Sequence, residues 1–149
     1  MTSRRLLIIR FFFAAVIVSI LPFGTPATAA RTCLTFEPAV ESIVGTLVRR
    51  TFPGPPNYED IKMGDQAETG WYVTLARPVC FAGTPGDEPN SKNIGHVNFV
   101  QLVLTHDEYT THAGLVGKHV KVTGTFFAAQ TGHHHAPVLV QVRMLERVK

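Results

Sequence analysis

Two-residue alternation governs the last third of this chain and decides what it can fold into. From His119 to Ala128, the side chains of Val120, Val122, Gly124, Phe126 and Ala128 fall on one side while His119, Lys121, Thr123 and Thr125 fall on the other. That is the pattern of a strand with one buried and one wet face. Val138 to Leu145 repeats it, with Val138, Val140, Val142 and Met144 set against Gln141 and Arg143. Three earlier runs carry the same chemistry. The first is Ile43 to Phe52. The second is Trp71 to Arg77, where Trp71, Val73 and Leu75 alternate with Tyr72, Thr74 and Ala76, and where Pro78 is expected to end the strand. The third is Phe99 to Leu104. Between the third and fourth runs lies one helix: Thr105 with Glu108 forms a capping box, Tyr109, His112, Ala113 and Val116 share a face, and Gly117 supplies a left-handed stop.

The succession is three strands, a helix and two strands, which predicts a mainly β protein. With long connections after the first strand and between the last two, it looks like a small five-stranded OB-like Greek-key barrel with one helix between strands 3 and 4. Another small antiparallel barrel, or an α+β sandwich, has the same element list.

The first thirty residues read differently. Arg4, Arg5 and Arg10 precede an apolar run from Phe11 to Leu21, and Ala27-Thr28-Ala29 is a small-x-small cleavage signal. This is the pattern of a signal peptide released near residues 29–31, leaving residues 31–149 as a single exported OB-like domain, periplasmic or secreted. The apolar run is shorter than the roughly 20 residues of a membrane span, so no stable span is expected after cleavage. Ser3-Arg4-Arg5 faintly resembles a twin-arginine signal, while the very hydrophobic run favours the general secretory route. Without the leader, Lys plus Arg falls from 14 to 11 and equals Asp plus Glu at 11. A neutral domain whose only basic cluster is Arg49-Arg50 lacks the clustered positive charge that nucleic-acid binding requires. Cys33 and Cys80 are the two cysteines, and in an oxidising compartment a disulfide between them is the economical reading, with two buried free thiols as the alternative.

Two connections carry unusual chemistry. Residues 53–69 contain Pro53, Pro55 and Pro56 followed by Asn57, Tyr58, Glu59 and Asp60, and the prolines stiffen a long loop. Such a loop is either a site or a rigid cover packed on Phe52 and Tyr58. Residues 130–137 contain His133-His134-His135. If the segment is extended, His133 and His135 point to one side and His134 to the other, so the first and third could ligate zinc or copper, with Glu59, Asp60 or His96 as a third ligand. The alternative is a polar hairpin whose imidazoles hydrogen-bond the backbone or stack on Tyr58 or Trp71. In an OB-fold these two connections flank the usual ligand face. The expected site is therefore a groove walled by the two loops, with Arg50, Tyr58, Glu59, Trp71, His133, His134 and His135 as ligand-binding candidates and Tyr72 and Lys121 on its floor.

The segments CLTFEP from Cys33, GTLVRRTFPGPPNYE from Gly45, QLVL from Gln101, LVGKHVKVTGT from Leu115 and TGHHHAPVL from Thr131 together resemble the exported bacterial family catalogued as domain of unknown function 4431. The resemblance implies a small secreted or periplasmic protein and brings no activity with it. At Ala136 the family pattern leads one to expect Thr, which would place a hydroxyl beside the histidines.

Three functions follow as expectations. The first is a non-catalytic binding module for a small molecule, peptide or envelope protein. The second is a zinc- or copper-binding protein that uses His133 and His135. The third is a metal-assisted hydrolase with Glu59 as base, for which the chain has no Gly-x-Ser-x-Gly or His-Glu-x-x-His motif and hence no catalytic residue to assign.

Overall fold

The computed structural model describes residues 32–149, so the expected leader, residues 1–30, lies outside the described residues. The described residues hold six strands: β1 (Leu34–Thr35), β2 (Val40–Pro53), β3 (Ala67–Ala82), β4 (Ile94–Val103), β5 (His119–Ala128) and β6 (Val138–Arg147). The helix α1 (His106–Thr111) follows β4, and short 3-10 turns occupy Ile61–Met63 and Ala113–Leu115. Among the described residues no helix is long and apolar enough to cross a membrane.

Five strands close a ring. β2 pairs antiparallel with β3 and with β5, β3 pairs antiparallel with β4, β5 pairs antiparallel with β6, and β4 meets β6 in a short parallel ladder from Gln101↔Leu139 to Val103↔Gln141. This is the five-stranded closure expected from the element order, with the helix placed between the third and fourth long strands. Closure leaves the ring without an open edge. Inside it, Leu47, Val73, Val100, Val120, Val122, Phe126, Val138 and Val140 are fully buried, as the alternation in each run requires.

Several boundaries differ from those the sequence predicts, each for a local reason. Pro78 does not end β3. Between Thr74↔Phe99 and Val79↔Val97 the ladder to β4 slips, so the proline occupies an irregular stretch where its missing N–H breaks no pairing. In β6 the expected inward Met144 is half exposed and Leu145 is buried instead. The ladder passes from Thr123↔Met144 to Gly124↔Val142, and the extra residue, Arg143, inverts the facing of everything after it. Gly124 permits this close approach, since a Cβ there would sit 2.1 Å from the Gln141 carbonyl oxygen. The helix has the predicted capping box at Thr105 and Glu108 but ends at Thr111, where two threonines and Gly114 are poor helix formers. The strand β1 was not predicted. It lies parallel to the end of β3, with Leu34 opposite Phe81, and the expected Cys33–Cys80 disulfide adjoins that pairing.

Candidate functional site

The Pro-rich loop owes its shape to one buried carboxylate. Asp65 accepts hydrogen bonds from the backbone N–H groups of Asn57 at 2.8 Å, Glu59 at 2.7 Å and Asp60 at 2.9 Å. The Glu59 bond is the largest influence on its titration, and the three bonds together outweigh the opposing effect of burial and hold its carboxyl below the ordinary carboxylate value. Asp60 in turn caps the following 3-10 turn by accepting from the Lys62 N–H at 2.8 Å. The result presents Tyr58, in a left-handed conformation at φ 62°, to the histidine loop. There Gly132 leaves room for its ring: a Cβ at Gly132 would lie 2.8 Å from Tyr58 carbons.

The two loops meet as the sequence predicts, and Glu68 joins them. Its Oε1 is 2.7 Å from His133 Nδ1 and its Oε2 is 2.8 Å from His135 Nε2. An ionised carboxylate only accepts, so both of these nitrogens carry the proton. His133 Nε2 is then free to accept from the Tyr58 hydroxyl, 3.2 Å away. The Tyr58 ring stands edge-on to the His133 ring, and His135 stacks on Phe52 at 4.9 Å with an interplanar angle of 6°. The Gln101 side chain secures the loop backbone by donating to the His133 carbonyl at 3.1 Å and accepting from the His135 N–H at 2.8 Å.

Burial would push Glu68 up, but the hydrogen bonds from His135 and His133 and the charge of these imidazoles leave it below the ordinary 4.5. A carboxyl depressed by folding contributes stability above its unfolded value and loses it as pH falls through its folded value. Asp65 and Glu108 are depressed as well, and His134 is held below 6.5, chiefly by burial and then by its two histidine neighbours, which gives the same sign. Thermal melts should therefore show stability falling progressively from about pH 6.5 downwards. At pH 7 the substitution Glu68→Gln should cost about 1–2 kcal/mol through weakened charge-assisted bonds. The difference between variant and parent should shrink towards pH 3, and a constant difference across that range would contradict the assignment.

The other predicted residues are distributed as follows. His134 turns away, accepts from the Gln130 N–H through Nδ1 at 2.9 Å and packs edge-on to Phe127. Arg50 lies on the same outer face as Tyr72, with its guanidinium 4.7 Å from the Phe99 ring centroid and bonded to Thr74 Oγ1 at 3.2 Å. Trp71 is not at the site. It points into the barrel, 6% exposed, edge-on to Tyr109, because alternation sends Trp71 inward and Tyr72 outward. Lys121, paired across the ladders with Val44 and Glu146, does not line the cleft described below. The Glu59 side chain is exposed. Neither it, Asp60 nor His96 is a hydrogen-bond partner of His133 or His135.

Glu68 is the partner that sequence reasoning missed, together with Gln101. A signal existed for the first, since a hairpin register placing Phe52 opposite Glu68 puts both side chains on one face. Each imidazole is bonded to a different oxygen of Glu68. Among the described residues no group of three or more His, Cys, Asp or Glu side chains is placed to hold a metal ion.

Beside these residues is an open cleft of about 300 Å³, lined by Glu68, Gly70, Tyr72, Gln101, Tyr109 and the imidazoles of His133 and His135. Tyr72 is fully buried, and its hydroxyl has no hydrogen-bond partner. Burial raises its pKa to about 12, reinforced by the neighbouring Tyr109 and Glu68 and opposed by Arg50.

Residues 99–146 match the family described as Domain of unknown function (DUF4431). The resemblance read from the sequence is thus found over this part of the chain. The matched segment includes Gln101, His133 and His135, while Tyr58, Glu68 and Tyr72 lie before it. No curated protein and no solved structure matches the chain.

Proposed function

We propose that this protein is an exported, non-catalytic binding module whose ligand sits in the cleft between the histidine loop and the start of β3. One observation carries the reading: an open cleft of about 300 Å³ is lined by Glu68, Gln101 and the imidazoles of His133 and His135, polar side chains that their mutual hydrogen bonds hold in fixed positions. The placement of both loops on the outer face of β2, β3 and β4 supports the same conclusion, since that is where a five-stranded Greek-key barrel presents its ligand surface. The disulfide supports export.

The series Tyr58, His133, Glu68 has the order hydroxyl, imidazole, carboxylate. Its carboxylate, however, is shared with a second imidazole, and the phenol lies edge-on against the ring it bonds. This is packing that fastens a loop rather than a free nucleophile beside its base. Zinc or copper binding through His133 and His135 draws less support, because both nitrogens facing Glu68 are already engaged as donors.

The test is Glu68→Gln, which keeps the shape of the cleft and removes its charge. In two-dimensional NMR of the histidine rings with a library of small polar fragments, hits should shift the His133 and His135 ring resonances of the parent and should be weakened at least about tenfold in the variant. Fragments that bind both proteins equally, or none that disturbs those rings, would sink the reading.

A further inference from the structure

Resting on the cleft reading above, we infer that the group this cleft receives is a primary ammonium, carried on a small amine or on a lysine side chain. Glu68 is the only lining residue with a formal charge when the imidazoles are neutral, and among the described residues its ion-pair partners are those two imidazoles and no lysine or arginine. Its side chain is 26% exposed, so a ligand in the cleft can reach it. The cation on the same face, Arg50, extends the other way, to Thr74 Oγ1 and the Phe99 ring. Thr74 stands six residues along β3 from Glu68, roughly 20 Å of strand at about 3.3 Å per residue, whereas charges at physiological salt are screened over about 8 Å. A partly buried carboxylate without a permanent counter-charge favours a ligand that brings one.

The hydrogen-bonding inventory selects the same group. The imidazole N–H groups of His133 and His135 are spent on Glu68, the Thr69 hydroxyl is paired with that of Thr51, and the Gln101 amide donates to the His133 carbonyl. Acceptors are what remain. A carboxylate has about four acceptor positions, of which Glu68 uses two, and the Gln101 Oε1, with about two, uses one for the His135 N–H. The remainder, about three, equals the three donors of an ammonium. An anion would meet the like charge of Glu68, and a neutral hydroxyl would leave that charge without a counter-ion. Because a separate imidazole holds each oxygen, the carboxylate is already fixed before a ligand arrives, which lowers the entropy lost on binding. An open cleft of about 300 Å³ is at the small end of ligand pockets and suits one head group whose chain leads out to solvent.

Titrations followed by two-dimensional NMR of the histidine rings test this at about pH 8, above the range of ordinary histidine titration and below that of an alkylammonium. Butylamine should shift the His133 and His135 ring resonances. It should bind at least about tenfold more tightly than butanol, butyrate or tetramethylammonium, which respectively lack the charge, reverse it or lack N–H donors. Its affinity should fall at least about threefold between about 20 and 500 mM NaCl, and at least about tenfold in Glu68→Gln. If that variant does not fold, the salt series and the three isosteres decide on the parent alone. Cadaverine and Nα-acetyl-lysine methylamide separate the two sources, the tighter binder naming the carrier. Equal binding of butylamine and butanol, a preference for butyrate, or an amine affinity indifferent to both salt and Glu68→Gln overturns the inference. If other polar fragments move the two rings and butylamine does not, the ammonium fails and the cleft reading survives. If nothing moves them, both fail.

Discussion

Phe126→Ala should destabilise the domain by about 3–5 kcal/mol, enough to leave a substantial fraction unfolded at 37 °C. Phe126 is fully buried in the ring of strands. Its ring centre lies 5.3 Å from that of Phe81, which is itself 5.2 Å from Phe36. The three form a row that joins β5, β3 and the segment between β1 and β2. Removing one end of this row, itself fully buried, loses both transfer free energy and contacts, because neighbours held in a closed ladder relax little. The row also carries a backbone bond, from the Glu37 N–H to the Phe126 carbonyl at 2.8 Å, so the N-terminal arm should loosen with it. Urea denaturation of the variant should show the midpoint falling with little change in slope. A loss below about 1 kcal/mol would mean that the row is not packed as described. Phe126→Leu, which retains most of the volume, should recover much of the loss.

What the sequence made legible follows from where its periodicity was unbroken. β5 has its predicted limits and facing because all ten residues lie in one phase and Gly124 creates its irregularity in the partner strand rather than in its own alternation. β6 loses its predicted phase at Arg143, since a bulge depends on what stands opposite and a single strand read alone does not contain that. β1 has two residues, too few for any period to register.

At the site, the two loops were legible as neighbours because strand order places them there, and His134 was legible as the odd one of three because extended chain alternates. The choice between Trp71 and Tyr72 was not, since both are large aromatics buried on opposite faces of one strand. Which face is the core and which the site is decided only by the pairing. Glu68 was hidden for a related reason. It belongs to the acidic side chains of the Pro-rich segment in sequence, as Glu59 and Asp60 do, but only the register with Phe52 lifts it onto the face that the histidine loop covers.

Loss of the Cys33–Cys80 bridge is expected to cost about 2–4 kcal/mol, by freeing a loop of 47 residues in the unfolded chain. For a domain of this size that corresponds to a fall in melting temperature on the order of 10 °C. The effect should be separable from the site. Cys80 lies near the end of β3 and Glu68 near its start, twelve residues apart, so at about 3.3 Å per residue the bridge is roughly 40 Å of strand from the carboxylate that holds the histidines. The bridge fixes β1 against Phe81 and Ala82, whereas the loop contacts depend on Asp65, Glu68 and Gln101. The fall in melting temperature on adding reductant should match that of a Cys33→Ser, Cys80→Ser double variant, whose own melt should not change with reductant. At temperatures where the reduced protein is still folded, the ring resonances of His133 and His135 should stay at their positions in the oxidised protein. If reduction moved those resonances before the global transition, the arm and the cleft would have to be one cooperative unit, and the division of labour along β3 would be wrong.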